Sequence, residues 1–176
     1  MDMNAETSNR NTYVNYGEVS DGASVIIRQM KADNWVPDYI VGVVRGGLIP
    51  ATMISYATGI PLYTIRFNKV DLDNDCNCWM ADDLVIGRER TNGTPLNILI
   101  VDDICLTGGT FDAIIDSFRD SHPSERWSNG EIIGNNLRFA VLVNHSESNL
   151  INYVGCSEIS ARTSGRFDKI YFAAQY

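Results

Sequence analysis

The residues best suited to chemistry lie in one segment, Ile98 to Thr110, with the sequence ILIVDDICLTGGT. Four apolar residues at its start predict a buried strand that ends in Asp102 and Asp103. Neighbouring carboxylates can accept hydrogen bonds from two vicinal hydroxyl groups or hold a hydrated Mg²⁺. The segment therefore predicts a site that binds a diol.

Small and hydroxyl-bearing residues follow the two aspartates and lead into a predicted helix from Phe111 to Arg119. Backbone N–H groups of a glycine-rich turn at a helix N-terminus bind anions, and the helix dipole adds to the attraction. Thr107 and Thr110 can add hydroxyl donors. A simpler interpretation is that one aspartate caps a turn and the glycines only bend the chain. The complete pattern instead favours a diol site beside a phosphate cradle, which suits a ribose 5-phosphate.

Alternating strands and helices are predicted to position this segment. A parallel α/β fold follows, with a central five-stranded sheet flanked by helices and joined by right-handed crossovers. Ligands in such folds bind beyond the carboxyl ends of the strands, where both glycine pairs and the aspartates are expected. The predicted strands are Tyr39–Val44, Leu62–Phe67, Asn97–Val101, Phe139–Val143 and Lys169–Phe172, and the predicted helices are Gly17–Asn34, Leu48–Thr58 (with Gly59 as C-cap) and Phe111–Arg119.

Length and composition limit the possible classes. The 176 residues fit a single domain, which we predict over 13–176 after a disordered tail, 1–12. The apolar runs are too short to span a bilayer. A net charge of -8 disfavours general nucleic-acid binding, which needs a basic surface.

The four cysteines form no recognisable metal motif. Only Cys76 and Cys78 are close in sequence, and no second pair or nearby histidine completes a zinc set. The first residues lack the pattern of a secretory signal. We therefore expect free thiols in a reducing cytosol and a cytoplasmic protein.

Two segments together resemble a known family. Ile98 to Thr110 resembles the phosphoribosyl-pyrophosphate (PRPP) signature of type I phosphoribosyltransferases. Ile40 to Ile60 resembles the strand, pyrophosphate loop and helix of their purine members, especially the xanthine-guanine enzymes. The resemblance covers most of Tyr13 to Val143. It implies the type I phosphoribosyltransferase fold, with a small hood and a flexible loop.

The resemblance also implies roles for particular residues. Asp102 and Asp103 would bind the ribose hydroxyls of PRPP and meet its Mg²⁺. The turn after the first core strand would bind pyrophosphate, partly through a strained peptide bond. The 5-phosphate would be bound by Leu106, Thr107, Gly108, Gly109 and Thr110, and the pyrophosphate by Val44, Arg45, Gly46 and Gly47.

The long polar segment 68–94 matches the position of the family's mobile hood. Lys69, Arg88 and Arg90 there are candidates for closing on the pyrophosphate. Solvated surface charge is the alternative interpretation of these three residues.

The nucleobase half departs from the family pattern. Many 6-oxopurine members have a proton-accepting Asp where this chain has Leu106, and a Lys where this chain has Asn144 and His145. Tyr171 and Phe172 correspond to the aromatic that stacks on the base. Asn144, His145, Tyr171 and Phe172 are therefore candidates for binding the base. The alternative interpretation is that His145 is a surface histidine and that the two aromatic residues belong to the core.

The implied reaction is transfer of the phosphoribosyl group from PRPP to a nucleobase, a 6-oxopurine by resemblance, with release of pyrophosphate in purine salvage. A homodimer is the default assembly. Two alternatives stay open: a PRPP or nucleotide sensor of the same fold that does not catalyse, and a pyrimidine transferase of the orotate type.

Overall fold

The computed structural model describes residues 12–66, 96–120, 127–128, 131–132, 135–146, 149–163 and 170–173. In chain order the elements are β1 (Thr12–Asn15), α1 (Tyr16–Ala32), β2 (Tyr39–Val44), α2 (Leu48–Thr58), β3 (Leu62–Arg66), β4 (Leu96–Cys105), α3 (Gly109–Asp120), β5 (Trp127–Ser128), β6 (Glu131–Ile132), β7 (Asn135–Asn144), β8 (Ile151–Val154), α4 (Ser157–Thr163) and β9 (Ile170–Ala173).

The main sheet has five parallel strands in the order β3-β2-β4-β7-β8. The central strand β4 is buried on both faces. Leu99 and Val101 belong to the core shared with α1 and α2, whereas Ile98 and Ile100 belong to the core on the opposite face, with Phe111 of α3. Burial on both faces is why the strand reads as a continuous apolar run. Because β2 pairs with β4, the carboxyl ends of these two strands lie side by side.

The first helix begins at a capping box. The Asn15 side chain accepts a hydrogen bond from the Glu18 N–H at 3.0 Å, and the Glu18 carboxylate accepts one from the Asn15 N–H at 2.8 Å. These reciprocal bonds fix the start of α1 at Tyr16, one residue before the predicted start. The predicted bounds of α2 are confirmed, and Gly59 ends it with a φ of 74°.

The last predicted strand has a different partner from the one expected. The observed β9 pairs with β1 in a separate two-stranded sheet. The fifth position of the main sheet belongs instead to β8, which the sequence did not predict, followed by the short helix α4. The five-stranded parallel sheet is confirmed, but the prediction that Lys169–Phe172 supplies its fifth strand is wrong.

A polar and aromatic cluster lies at the amino edge of the sheet. The Arg138 guanidinium donates to the Asp33 carboxylate at 2.7 Å and to the hydroxyl of Tyr153. It also stacks over the ring of Trp35, 4.7 Å from the centroid. The cluster joins the turn after α1 to β7 and β8.

Several sequence predictions fall outside the described residues. These are residues 1–11 of the predicted tail, the loop 68–94 with Lys69, Arg88 and Arg90, and the pair Cys76 and Cys78. Within the described ranges, no helix is both long enough and apolar enough to cross a membrane.

Candidate functional site

The turn after β2 packs directly against the end of β4. The Gly47 N–H donates to the Val43 carbonyl at 2.9 Å, and the Leu48 N–H donates to the Arg45 carbonyl at 3.2 Å. A Cβ atom on Gly46 would overlap the Asp103 carboxylate, and one on Gly47 would overlap the backbone of β4. The two glycines are therefore needed for strand packing as well as for backbone access. The Val44–Arg45 peptide bond is cis, and Arg45 is exposed.

Asp102 and Asp103 lie within β4 rather than at its end. The strand continues to Cys105 because β7 runs beside it, pairing Ile104 with Val143 and Cys105 with Asn144. Both aspartates are consequently half-buried and not on the open surface. The Asp102 carboxylate accepts the Asp103 N–H at 2.9 Å, and the Asp103 carboxylate accepts the Ile104 N–H at 2.8 Å.

The two carboxylates are electrostatically strained. Burial raises the pKa of Asp102 to about 8, and the neighbouring charge of Asp103 adds to the rise. Burial also raises the pKa of Asp103. In the part of the chain that the structure describes, neither carboxylate is paired with a cation. A ligand that brings hydroxyl donors or positive charge would therefore stabilise this pair of carboxylates.

The glycine-rich segment forms a turn that opens α3. Gly108 is buried with a φ of 86°, and its carbonyl accepts the N–H groups of Phe111 at 2.9 Å and Asp112 at 3.0 Å. The helix therefore begins at Gly109, two residues before the predicted start. The Thr107 hydroxyl accepts the Gly109 N–H at 3.3 Å. The N–H groups of Gly109, Phe111 and Asp112 are thus bonded within the turn itself, and the helix dipole still favours an anion at this end of α3.

A cavity of about 300 Å³ lies between the aspartates and this turn. Its lining runs without interruption from Asp102 to Phe111 and includes the whole predicted phosphate cradle, Leu106 to Thr110. Leu106 is 53% exposed, which is unusual for a large apolar side chain. The structure thus brings the predicted diol and phosphate positions to one cavity.

The donors at this cavity fit a Mg²⁺ ion that arrives with a phosphorylated substrate. Among the described residues, no group of three or more His, Cys, Asp or Glu side chains could hold a metal ion. Mg²⁺ commonly takes only one or two protein carboxylates, together with substrate phosphates and water. Asp102 and Asp103 could provide those carboxylates.

Two of the predicted base-binding residues, Asn144 and His145, lie at the carboxyl end of β7 and are held by a local network. The Asn144 side-chain oxygen accepts the N–H of Ser146 at 3.0 Å and its hydroxyl at 2.9 Å. The Cys105 thiol donates to the Ser146 hydroxyl at 3.2 Å, and the His145 N–H donates to the Cys105 carbonyl at 2.8 Å. Burial lowers the pKa of His145. Asn144 and His145 therefore lie beside the predicted phosphate turn, because β7 pairs with β4 and the two strands end side by side.

Sequence reasoning missed Ser146 and Ser160, which complete this network. The Asn144 N–H donates to the Ser160 hydroxyl at 3.0 Å, connecting β7 to α4. The Asn-x-Ser spacing of 144 and 146 is typical of a side-chain turn and was the available signal. The other base-binding candidates, Tyr171 and Phe172, lie in β9, where their backbones pair with Tyr13 and Val14 of β1.

This parallel sheet, with a glycine turn packed against paired aspartates, defines a type I phosphoribosyltransferase fold. Comparison with known families gives the same class. The chain belongs to the phosphoribosyl transferase domain family, whose model matches residues 15–172.

Curated relatives match part of the chain. A hypoxanthine/guanine phosphoribosyltransferase of Methanospirillum hungatei is 39% identical over 83 residues, which are 46% of this chain and 46% of the relative. The chain thus matches about half the length of such relatives.

Solved structures share the fold at low identity. A purine phosphoribosyltransferase from Pyrococcus horikoshii is 21% identical with a TM-score of 0.51, over 80% of this chain and 82% of the other. A xanthine-guanine-hypoxanthine phosphoribosyltransferase from Helicobacter pylori is 16% identical with a TM-score of 0.52, over 94% and 88% of the two chains.

Proposed function

We propose that the protein transfers the phosphoribosyl group of PRPP to a 6-oxopurine, giving a nucleoside monophosphate and pyrophosphate in purine salvage. A base nitrogen forms the new bond to the anomeric carbon, the bond from that carbon to pyrophosphate breaks, and the nitrogen loses its proton. The transition state resembles an oxocarbenium ion, so positioning and electrostatics are the main contributions of the protein.

The packing of Gly46 against Asp103 carries this proposal. It brings the turn that bears Arg45 beside the paired carboxylates, and the carboxylates border the cavity whose lining includes Leu106 to Thr110. PRPP has a pyrophosphate and a 5-phosphate on either side of a ribose diol. The three predicted subsites follow one another in the same order.

Each subsite has a distinct task. Asp102 and Asp103 accept hydrogen bonds from the ribose hydroxyls. The turn from Leu106 to Thr110 holds the 5-phosphate, and the turn from Val44 to Gly47 holds the departing pyrophosphate with help from the Arg45 guanidinium. When bound, Mg²⁺ would supply positive charge that offsets the growing charge on pyrophosphate.

The choice of a 6-oxopurine rests on the curated relatives, which are named hypoxanthine/guanine phosphoribosyltransferases. Asn144, His145, Tyr171 and Phe172 are the candidates for holding the base. Leu106 cannot accept the base proton, so water or another group must do so, and turnover should be slow for the family.

The free thiols of Cys105 and Cys156 fit the predicted reducing cytoplasm.

A pyrophosphate-release assay with PRPP, Mg²⁺ and a panel of bases tests the proposal. We expect release with guanine, hypoxanthine or xanthine, and none with the Asp102→Asn/Asp103→Asn double variant. Turnover with orotate or uracil alone would make the purine assignment wrong. PRPP binding without turnover on any base would support the sensor alternative, for which the motivating observation is that Leu106 stands where a proton-accepting acid is expected.

A further inference from the structure

The carboxyl ends of β4 and β7 stay joined beyond their last paired residues. Cys105 pairs with Asn144, and the His145 N–H then donates to the Cys105 carbonyl at 2.8 Å. Continued by one residue, the same register sets His145 opposite Leu106. Cys105 and Leu106 both line the cavity of about 300 Å³. An imidazole is therefore carried at the position beside the leucine that stands where a proton-accepting acid is expected.

The residues on either side of His145 are tied to the fold. The Asn144 N–H donates to the Ser160 hydroxyl of α4 at 3.0 Å. After the histidine, the Ser146 N–H and hydroxyl donate to the Asn144 side-chain oxygen at 3.0 Å and 2.9 Å. The turn thus holds His145 on a fixed backbone, and the Asn144 side-chain oxygen is engaged in forming that turn.

The protonation state of His145 suits a group that accepts a proton. Burial lowers the pKa of His145 below its usual 6.5, so the ring is largely neutral near neutral pH. A neutral imidazole has one nitrogen that can accept a proton, whereas the Leu106 side chain has no such atom. The reaction proposed above requires an acceptor, because the purine loses a proton when it bonds to the ribose.

Charges on the neighbouring elements do not account for this state of His145. The titratable groups on those elements are Asp102, Asp103 and Cys105 of β4, Asp112 of α3 and Glu158 of α4. A nearby carboxylate would raise the pKa of a histidine, and the direction found for His145 is the opposite. Burial therefore has the larger effect on the ring.

We propose that His145 accepts the proton that the purine loses during phosphoribosyl transfer, and that Asn144 positions it. The base nitrogen bonds to the anomeric carbon, and the electron pair of the breaking bond leaves with pyrophosphate. The purine proton passes to the neutral imidazole, and the imidazolium then releases it to water. The inference rests on the proposed function, since it names the group that replaces an acid at position 106.

The pH dependence of pyrophosphate release in a single turnover, with PRPP, Mg²⁺ and guanine, tests the inference. The wild-type rate should fall as the pH drops through the pKa of His145, because imidazolium cannot accept a proton. His145→Gln keeps a polar side chain without a basic nitrogen. It should lower the rate by about 10–100-fold near neutral pH and remove this acid limb. Titration of PRPP, Asp102 and Asp103 is common to both proteins, so the difference between the two profiles reports His145.

Two variants of Asn144 test its positioning role. Asn144→Ala loses both bonds from Ser146 and should slow release while calorimetry shows unchanged affinity for PRPP. Asn144→Asp keeps an acceptor for both bonds and adds a negative charge beside the imidazole. That charge favours imidazolium, so the rate should be largely restored and the acid limb should move to higher pH.

His145→Ala and His122→Gln complete the set. Added imidazole should restore part of the rate of His145→Ala, which it would not do for a histidine with only a structural role. His122→Gln removes the other histidine of the chain and is the matched control, which should keep the acid limb. Circular dichroism and the affinity for PRPP show whether each variant is folded.

The outcomes separate this inference from the proposed function. A wild type that releases no pyrophosphate with any purine would overturn both. A wild type that turns over, together with a folded His145→Gln variant that keeps the wild-type rate and acid limb, would overturn the inference alone. Loss of the limb in His122→Gln, or no effect of imidazole on His145→Ala, would also overturn the role of His145 while leaving the transfer reaction in place.

Discussion

Charged groups have different surroundings at the two ends of the parallel strands, here called the amino edge and the carboxyl edge of the main sheet. At the amino edge, the Arg138 guanidinium is matched by the Asp33 carboxylate and by the aromatic rings of Trp35 and Tyr153. At the carboxyl edge, Asp102 and Asp103 are half-buried side by side, and burial raises the pKa of each.

Because of this difference, we expect the amino edge to contribute to stability and the carboxyl edge to contribute to ligand binding. A group whose partners are all supplied by the fold lowers the energy of the folded chain and has little left to offer a ligand. A buried charge held beside a like charge costs stability and is relieved when a ligand arrives. Substitutions at the carboxyl edge should therefore affect PRPP binding, and those at the amino edge should affect folding.

The largest effect is expected from Asp102→Asn with Asp103→Asn. Charge-assisted hydrogen bonds contribute about 1.5–3 kcal/mol each, so losing two should weaken PRPP binding by about 10²–10⁴-fold. Thermal stability should not fall, because the variant removes two carboxylates that burial disfavours. Calorimetric titration with PRPP and Mg²⁺, and thermal unfolding without ligand, measure the two quantities.

Asp21→Asn is the control for this double variant, since Asp21 is exposed on α1. It should leave PRPP binding unchanged. Wild-type affinity in the folded double variant would contradict the assignment of the carboxylates. A large loss of stability would contradict the contrast between the edges.

The next effect is expected from Gly108→Val in the phosphate turn. A branched residue is strained at a φ of 86° and also blocks the backbone from an anion. Binding of a nucleoside monophosphate should weaken by about a hundredfold or more. Gly59→Val is a matched control, because Gly59 has a φ of 74° in open space at the end of α2. It should show similar strain in thermal unfolding without loss of binding, and equal loss in both variants would count against a phosphate cradle.

Leu106→Asp should increase activity rather than reduce it. The side chain is 53% exposed at the cavity, so a carboxylate there stays hydrated and can take the base proton. General acid–base catalysis contributes about 10²–10⁴-fold in evolved sites, and we expect roughly tenfold here. The rate with guanine should then fall at low pH as the new carboxylate protonates. Leu106→Asn is the uncharged control, and a folded, PRPP-binding Leu106→Asp variant that is slower than it would refute this view of the proton step.

At the amino edge, Arg138→Ala should reduce stability and leave binding unchanged. Loss of the ion pair to the half-exposed Asp33 and of the stacking on Trp35 should cost about 1–2 kcal/mol. Urea unfolding measures this change, and calorimetry should show wild-type affinity for PRPP. Arg28→Ala, on the exposed face of α1, should change stability by less than about 0.5 kcal/mol. A loss of PRPP affinity in folded Arg138→Ala would show that the edges are coupled.

The segments that form the site could be predicted because their signals are local. The apolar run of β2, the glycine turn and the uncharged helix α2 gave the observed bounds, Tyr39–Val44 and Leu48–Thr58. The apolar run before Asp102 likewise predicted the central strand. Each signal lies within about ten consecutive residues, where hydrophobic pattern and turn chemistry act together.

The remaining features depend on contacts between distant residues. β1, β8 and β9 have four residues each, too few to show a period, and their partners are determined by the assembled sheet. The burial of Asp103 follows from β7 continuing beside β4, which no local pattern shows. The Arg138 cluster joins residues more than a hundred positions apart and has no signature in the sequence.

The smallest effect is expected from Tyr153→Phe and depends on pH. Burial raises the pKa of Tyr153 above its usual 10.0, with Arg138 opposing the rise and Asp33 adding to it. As pH rises through 10, the unfolded chain therefore loses this proton before the folded chain does, and the free energy of unfolding decreases. Tyr153→Phe should make the decrease between pH 8 and 10.5 shallower, by less than about 1 kcal/mol in urea unfolding. Tyr16→Phe on the exposed start of α1 is the control, and a slope equally changed by both variants would show that the Arg138 cluster does not hold the Tyr153 proton.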